Sequence, residues 1–295
     1  MKCGLFLGCL VPARMAAYEL SARKVLEALS VELVDLKAGC CGSPYIFSVS
    51  QRAGLALAAY NLALAEEAGL KTVVTLCNGC NEVLKRALEA LKDEHEREAV
   101  NAILAKVGKE FKGEVEVKHV VRLLYENVGV AKVEEAVKVP LEGLRVAVHY
   151  GCHLLRPSEV MRFENPDDPR SLDELVMAVG AESVPYVEKL ECCGFPAMPV
   201  SEDLAYDIAA EKLTSMMASG ADVAVTACPS CFLHLENAQI VARREGARIR
   251  LPGEIPVLHV TQLLGLAMGF GPDDVGLREN RIKPEAVLRL LERAG

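Results

Sequence analysis

The chain has 295 residues, 51% of them apolar and 25% charged, with a formal net charge of −8. That is enough apolar sequence for one large core or two of ordinary size, and the acidic balance leaves out the basic footprint of a nucleic-acid-binding surface. No apolar run nears the roughly 20 residues of a membrane-spanning helix, and the N-terminus carries no basic region followed by an apolar core and cleavage site, so a cytoplasmic, non-spanning protein is expected.

In chain order, short β-rich runs alternate with helical patterns. "CGLFLGC", "VELVDL", "TVVTLC" and "VEVKHV" read as strands between residues 3 and 120. "YELSARKVLEAL" and "LALAAYNLALAEEAG" read as helices, the second stopped by Gly69. The charged stretch 84–111 reads as a helix pair with a solvated face. "RVAVHYGC", "AESVPY", "VAVTAC" and "IPVLHV" then repeat the strand series. The expected fold class is α/β: two homologous halves, near 1–139 and 140–295, each a small, mainly parallel sheet with flanking helices.

The repeat is sharpest in the cysteines. Of eleven, Cys3 stands apart, and the others form two sets: Cys9, Cys40, Cys41, Cys77, Cys80 and Cys152, Cys192, Cys193, Cys228, Cys231. In the first set 30 residues separate the lone cysteine from the vicinal pair and 35 separate the pair from "CNGC"; in the second the gaps are 39 and 34. Flanking strings repeat too: "FLGC" answers "HYGC", "VVTLCNGC" answers "AVTACPSC", and "VKHVVRLL" answers "VLHVTQLL". An odd cysteine count in a cytoplasmic context points to metal or redox chemistry rather than a disulfide framework.

Cys9, Cys77, Cys152 and Cys228 each close an expected strand, and ligands in open α/β sheets sit beyond the strand carboxyl ends, so each set can converge on one site. Structural zinc would leave a fifth thiol idle, and a thioredoxin-like dithiol would leave three. Iron–sulfur chemistry accounts for more of the pattern, although the compact cubane spacing is absent. Adjacent residues of an extended chain point opposite ways, so a vicinal pair suits two different irons better than one ion. Gly42 and Gly194 would allow the sharp turn and the close approach of a cluster.

Together, "FLGC", "TLCNGC", "HYGCHLLRP", "ECCG" and "VLHVTQLLGLAMG" resemble the cysteine-rich (CCG) domain family, and within it the heterodisulfide reductase B subunits. The resemblance spans both halves. It implies two noncubane [4Fe-4S] clusters, the first held by Cys9, Cys40, Cys41, Cys77 and Cys80 and the second by Cys152, Cys192, Cys193, Cys228 and Cys231. The clusters would face one another across a substrate cavity at the strand C-terminal ends. It further implies reduction of a small mixed disulfide to two thiols, in methanogens that of coenzyme M with coenzyme B. Electrons would come from a C subunit with cubane clusters, linked to a flavin-containing A subunit. Other members of the family serve instead as electron-transfer subunits of sulfur-metabolising or quinone-linked complexes.

Beside the clusters, His153 is the candidate proton donor to a departing thiolate. Arg14, Arg156 and Lys189 are candidates for binding sulfonate or phosphate groups of a substrate. His119, His149 and His259 sit at strand ends, and the repetition of His119 and His259 between halves marks them as architectural. Cys3 alternates with Leu5 and Leu7 and reads as a buried strand residue.

Overall fold

The computed structural model describes residues 1–294. Eight strands form two separate four-stranded sheets. In the first, β1 (Lys2–Phe6), β2 (Glu32–Asp35), β3 (Thr72–Thr75) and β4 (Glu116–His119) lie in the order β2-β1-β3-β4. In the second, β5 (Arg145–His149), β6 (Glu182–Ser183), β7 (Val223–Thr226) and β8 (Val257–His259) lie in the order β6-β5-β7-β8. All pairings are parallel. The two sheets share one topology, as the repeated strings require.

Every expected strand is present, but each is shorter than its apolar run. The strand β6 keeps only two residues of "AESVPY". Val184 N–H still donates to the Val146 carbonyl at 2.9 Å; the next residue, Pro185, has no N–H to continue the ladder. Likewise the cysteines do not close their strands. β1 and β5 stop three residues before Cys9 and Cys152, and β3 and β7 stop two before Cys77 and Cys228, so the thiols stand on the loops just beyond.

The central strands β3 and β7 are buried along their whole length, as expected for parallel strands covered on both faces. The helix Gln51–Glu67 covers the first sheet and ends where expected: Gly69, with φ +69°, carries the chain past the last turn while Leu70 N–H returns to Ala65 O at 3.0 Å. The charged stretch forms two helices, Asn78–Ala90 and Glu94–Leu104, whose apolar sides bury Val83, Leu84, Val100 and Leu104. Cys3 is fully buried within β1, in register with Leu33.

Each half lends a helix to the other. The helix Ala16–Ala28 packs against Val260–Ala267 of the second half, with Ser21 Oγ and Thr261 Oγ1 hydrogen-bonded at 2.7 Å in a dry setting. Tyr18 donates its hydroxyl proton to the Ala227 carbonyl at 2.9 Å. Its ring stacks on His259 at 3.8 Å, and His259 stacks in turn on Phe232 at 4.2 Å. Elsewhere along the junction, the Tyr125 hydroxyl donates to Glu174 Oε2 at 2.9 Å and Asn78 Nδ2 donates to Tyr150 O at 2.7 Å. The buried apolar residues of the two sheets thus form one continuous core.

Replacing Tyr18 by Phe keeps the stack but strands the buried Ala227 carbonyl, which costs about 1–3 kcal/mol. The expected outcome is a lowered urea midpoint with an unchanged slope; a midpoint equal to that of the unsubstituted protein would show that this bond does not tie the halves.

Candidate redox centre

In each sheet the chain order reverses between the two central strands. Such a switch point opens a crevice at the strand carboxyl ends, and here the crevices follow β1 and β3 in one half and β5 and β7 in the other. Cys9 and Cys77 flank the first and Cys152 and Cys228 the second. The helices Asn78–Ala90 and Pro229–Ala242 start there, and their N-caps are Cys77 (φ −124°, ψ 125°) and Cys228 (φ −123°, ψ 127°). The two caps are duplicates in detail, since Cys77 N–H bonds Thr75 Oγ1 at 3.3 Å and Cys228 N–H bonds Thr226 Oγ1 at 3.4 Å. Both helix dipoles therefore place their positive ends at the thiols, which favours negative charge there; of the facing pair Cys228 is the one lowered, and the same contact pushes Cys77 up.

The vicinal pairs are duplicated as well. Gly42 N–H points to Cys40 Sγ at 3.5 Å and Gly194 N–H to Cys192 Sγ at 3.4 Å. Gly42 and Gly194 have φ of +103° and +95°, so the expected sharp turns are present and require glycine.

All eleven cysteines are free, and ten of them form a line of side-chain contacts. Cys9 meets Cys40, Cys40 meets Cys41, Cys41 meets Cys80 and Cys80 meets Cys77. Across the halves Cys77 meets Cys228. The sequence of contacts then runs in mirror order through Cys231, Cys193, Cys192 and Cys152. Crowding divides the thiols electrostatically. Cys41 is brought down to about 7, first by the hydrogen bond from Cys80 and further by the N–H of Ser43, against the effect of burial. Cys228 is lowered by hydrogen bonds from Cys231 and Cys77, whereas Cys80 and Cys231 are pushed up, first by accepting neighbours and then by burial.

Nine of these ten cysteines line a single cavity of about 330 Å³; Cys192 stands behind Cys152 and Cys193. The rest of the wall is Leu7, Leu10, Pro44, Tyr45, Phe195 and Pro196, with Ser43, Asn78, Gly79, His153 and Ser230. No charged side chain is among these. Soft thiolate donors in an apolar, carboxylate-free chamber are what iron–sulfur clusters require, and five on each side fit one cluster per set.

Two glycines outside the vicinal turns are fixed by close packing beside the thiols, Gly8 by Cys80 itself and Gly151 by Asn78. A Cβ on Gly8 (φ +66°) would lie 2.8 Å from Cys80 Sγ. One on Gly151 (φ +72°) would meet Asn78 Nδ2 at 2.6 Å and Cys231 Sγ at 3.4 Å. The repeated "GC" of "FLGC" and "HYGC" signals both, but only the fold reveals what they make room for.

Of the other candidates, His153 lines the cavity, with its Nδ1 buried and without a hydrogen-bond partner among the described residues. Arg14, Arg156 and Lys189 do not line it. Arg156 turns outward to Asp167 at 3.0 Å, and Lys189 is bonded to both oxygens of Asp173 at 2.7 and 2.8 Å. His119 and His259 are helix N-caps after β4 and β8 and fully buried. Burial lowers them to about 4 and about 3, so they remain neutral. His149 is placed more suggestively than its strand-end position implied: a ring nitrogen and the sulfurs of Cys193 and Cys231 lie within 4.8 Å of one another.

Fold and thiols together define a duplicated α/β protein of the redox class, whose two cysteine sets share one chamber. Comparison with known proteins narrows the class. The model of the cysteine-rich domain family matches residues 3–85 and 146–236, one match per half. The chain is 39% identical to the B subunit of the ferredoxin/F420H2-dependent CoB-CoM heterodisulfide reductase of Methanosarcina acetivorans, covering 96% of this chain and 94% of that one. It is 38% identical to a protein of Archaeoglobus profundus named for its likeness to the heterodisulfide reductase B subunit, covering 99% of each. It is also 35% identical to the membrane anchor subunit of the 8-methylmenaquinol:fumarate reductase of Wolinella succinogenes, covering 94% of this chain and 95% of that one. A solved hypothetical protein of Helicobacter pylori, 20% identical, shares the fold with a TM-score of 0.75 over 96% of this chain and 52% of its own. The chain belongs to the cysteine-rich (CCG) domain family, in the group of the heterodisulfide reductase B subunits. No helix among its described residues is long and apolar enough to cross a membrane.

Gly8→Ala and Gly151→Ala should each lower the iron of anaerobically purified protein by about half, by spoiling one cluster site of two, while Gly253→Ala, which meets only Met217 Sδ at 3.9 Å, should retain it. Iron and sulfide analysis decides, and full iron in both variants would refute the packing argument.

Proposed function

We propose that this chain is the iron–sulfur catalytic subunit of a heterodisulfide reductase-type complex. A mixed disulfide, that of coenzymes M and B or a related one, enters between the two halves and takes up two electrons and two protons to leave as two thiols. The observation that carries this reading is the mirror-ordered line of ten thiols around one chamber. Cys9, Cys40, Cys41, Cys77 and Cys80 would hold one noncubane [4Fe-4S] cluster and Cys152, Cys192, Cys193, Cys228 and Cys231 the other, with the halves dividing near residue 139. When bound, the clusters supply electrons singly and iron sites for sulfur.

The chain's own residues do the rest. Leu7, Leu10, Phe195 and Pro196 exclude water from around the sulfurs, and the N-termini of the helices Asn78–Ala90 and Pro229–Ala242 stabilise negative charge there. His153, at the wall and with Nδ1 uncommitted, donates a proton to a departing thiolate. Arg14, Arg156 and Lys189 would act on a charged tail only beyond the chamber.

Electrons must arrive from outside, because the chain has neither a compact cubane motif nor a dinucleotide-binding glycine loop. A C-type subunit with cubane clusters, served by a flavin-bearing A-type subunit, fits that need in a cytoplasmic complex. Apolar residues exposed near the mouth, among them Tyr45, Ile46 and Val49 after the first vicinal pair and Val200 and Leu204 after the second, offer such a partner a surface. The similarity to the Wolinella fumarate reductase subunit favours a second reading, an electron-transfer subunit passing electrons to or from a quinone-linked partner.

Iron and sulfide analysis should give about eight irons per chain; stoichiometric zinc without sulfide would reject the main reading. Cys80→Ala and Cys231→Ala should each lose one cluster, and Cys3→Ala neither. Adding small thiols to the oxidised protein should change its EPR spectrum, whereas silence to every thiol tried would favour the electron-transfer reading. His153→Gln should lower disulfide turnover by about 10²-fold or more, and added imidazole should restore part of the lost rate. No rescue by imidazole would assign His153 a positioning role.

A further inference from the structure

A second cleft, of about 430 Å³, lies at the junction of the halves and contains none of the cysteines. Its walls are the edge strand β4, the helix Asn78–Ala90 and, from the second half, Val160–Arg162. Seven Lys and Arg side chains line it against two carboxylates, Glu89 and Glu116, in a chain whose net charge is −8. Just outside, Glu94 pairs with Arg97, and Glu126 with Lys118 and Arg122. With those two and Glu66, which accepts from the Lys112 backbone N–H at 2.7 Å, counted, the cations still exceed the acids by two.

The excess centres on Lys85. Its ammonium donates to the Met161 carbonyl at 2.8 Å, and Arg122 Nη1 donates to the same oxygen at 2.8 Å. Two cations thus share one neutral acceptor, and Lys85 makes no ion pair among the described residues. Burial, and next the Arg122 charge, bring the Lys85 ammonium down to about 8, so an anion placed here would relieve a standing repulsion. The ammonium of Lys112, exposed on the rim, is likewise without a carboxylate partner among the described residues. Beside these groups the wall is apolar, with Leu88 and Val160 half-buried and Phe111 and Val117 packed behind. A flat salt-bridged surface has neither the excess charge nor such a wall.

We propose that this cleft binds a phosphate-bearing organic anion, with the phosphate among Lys85, Lys112 and Arg122 and the apolar body on Leu88 and Val160. Phosphate suits the place because its oxygens can accept from several convergent cationic donors at once. The site is separate from the cysteine chamber, so it stands whatever disulfide the chamber accepts.

The test is calorimetric titration of the anaerobic, cluster-loaded protein with inorganic phosphate, pyrophosphate and hexyl phosphate at constant ionic strength. Saturable binding of one hexyl phosphate per chain is expected, tighter than inorganic phosphate. Lys112→Gln, exposed and safe for folding, should weaken it about tenfold, in line with loss of a charged hydrogen bond; Lys85→Gln should weaken it more. Lys2→Gln, outside the cleft and paired with Glu32, should leave it unchanged. Absence of saturable binding, or equal affinity in all variants, overturns the proposal. Equal affinity for inorganic and hexyl phosphate overturns the apolar half of it, and binding of an octaglutamate peptide in place of hexyl phosphate overturns it in favour of a protein-docking surface.

Discussion

The meeting of Cys77 with Cys228 is the constraint on which the molecule is built. Each thiol caps a helix that starts at the switch point of its own sheet, and the two helices present their positive ends to one another. Left empty of negative charge, that junction would be repulsive. Thiolates, and any anionic cluster they hold, make it cohesive, so the chemistry of the site and the docking of the halves depend on the same few atoms.

The exchanged contacts follow from this. With the sheets turned face to face at their carboxyl ends, the helix Ala16–Ala28 has no room on its own half alone, and it buries Tyr18, Ser21 and Val25 against the other. The stack of Tyr18, His259 and Phe232 fills the space behind Cys228 with rings that stay neutral, which keeps compensating charge away from the thiols. Gly8 and Gly151 are the complementary device, since removing a side chain brings backbone to within contact of Cys80 and Cys231. The chamber is held by what is absent at these positions as much as by the sulfurs themselves.

Much of this was legible in the residues. The strands show because parallel strands buried on both faces are written as unbroken apolar runs such as "TVVT" and "VAVT", and the two cysteine sets show because their spacing recurs. The rest depended on direction. Arg14, Arg156 and Lys189 are near the cluster loops along the chain, yet the side chain of Arg156 leaves toward Asp167 and that of Lys189 toward Asp173. The pairing of Cys77 with Cys228 needs the relative placement of two sheets, which no local pattern encodes. The cationic cleft was hidden for a related reason: Lys85, Lys92 and Arg97 come from a stretch that reads as an ordinary solvated helix pair, Lys112, Lys118 and Arg122 from beyond it, and Arg162 from the other half.

One asymmetry survives the duplication. His153 follows Cys152, but the residue that follows Cys9 is Leu10, and both face the same chamber. An almost two-fold enclosure cannot by its sulfurs alone tell the two ends of an unsymmetrical ligand apart. The imidazole on one wall and the isobutyl group on the other give it a polarity, so its two ends are told apart by a single substitution in an otherwise repeated motif.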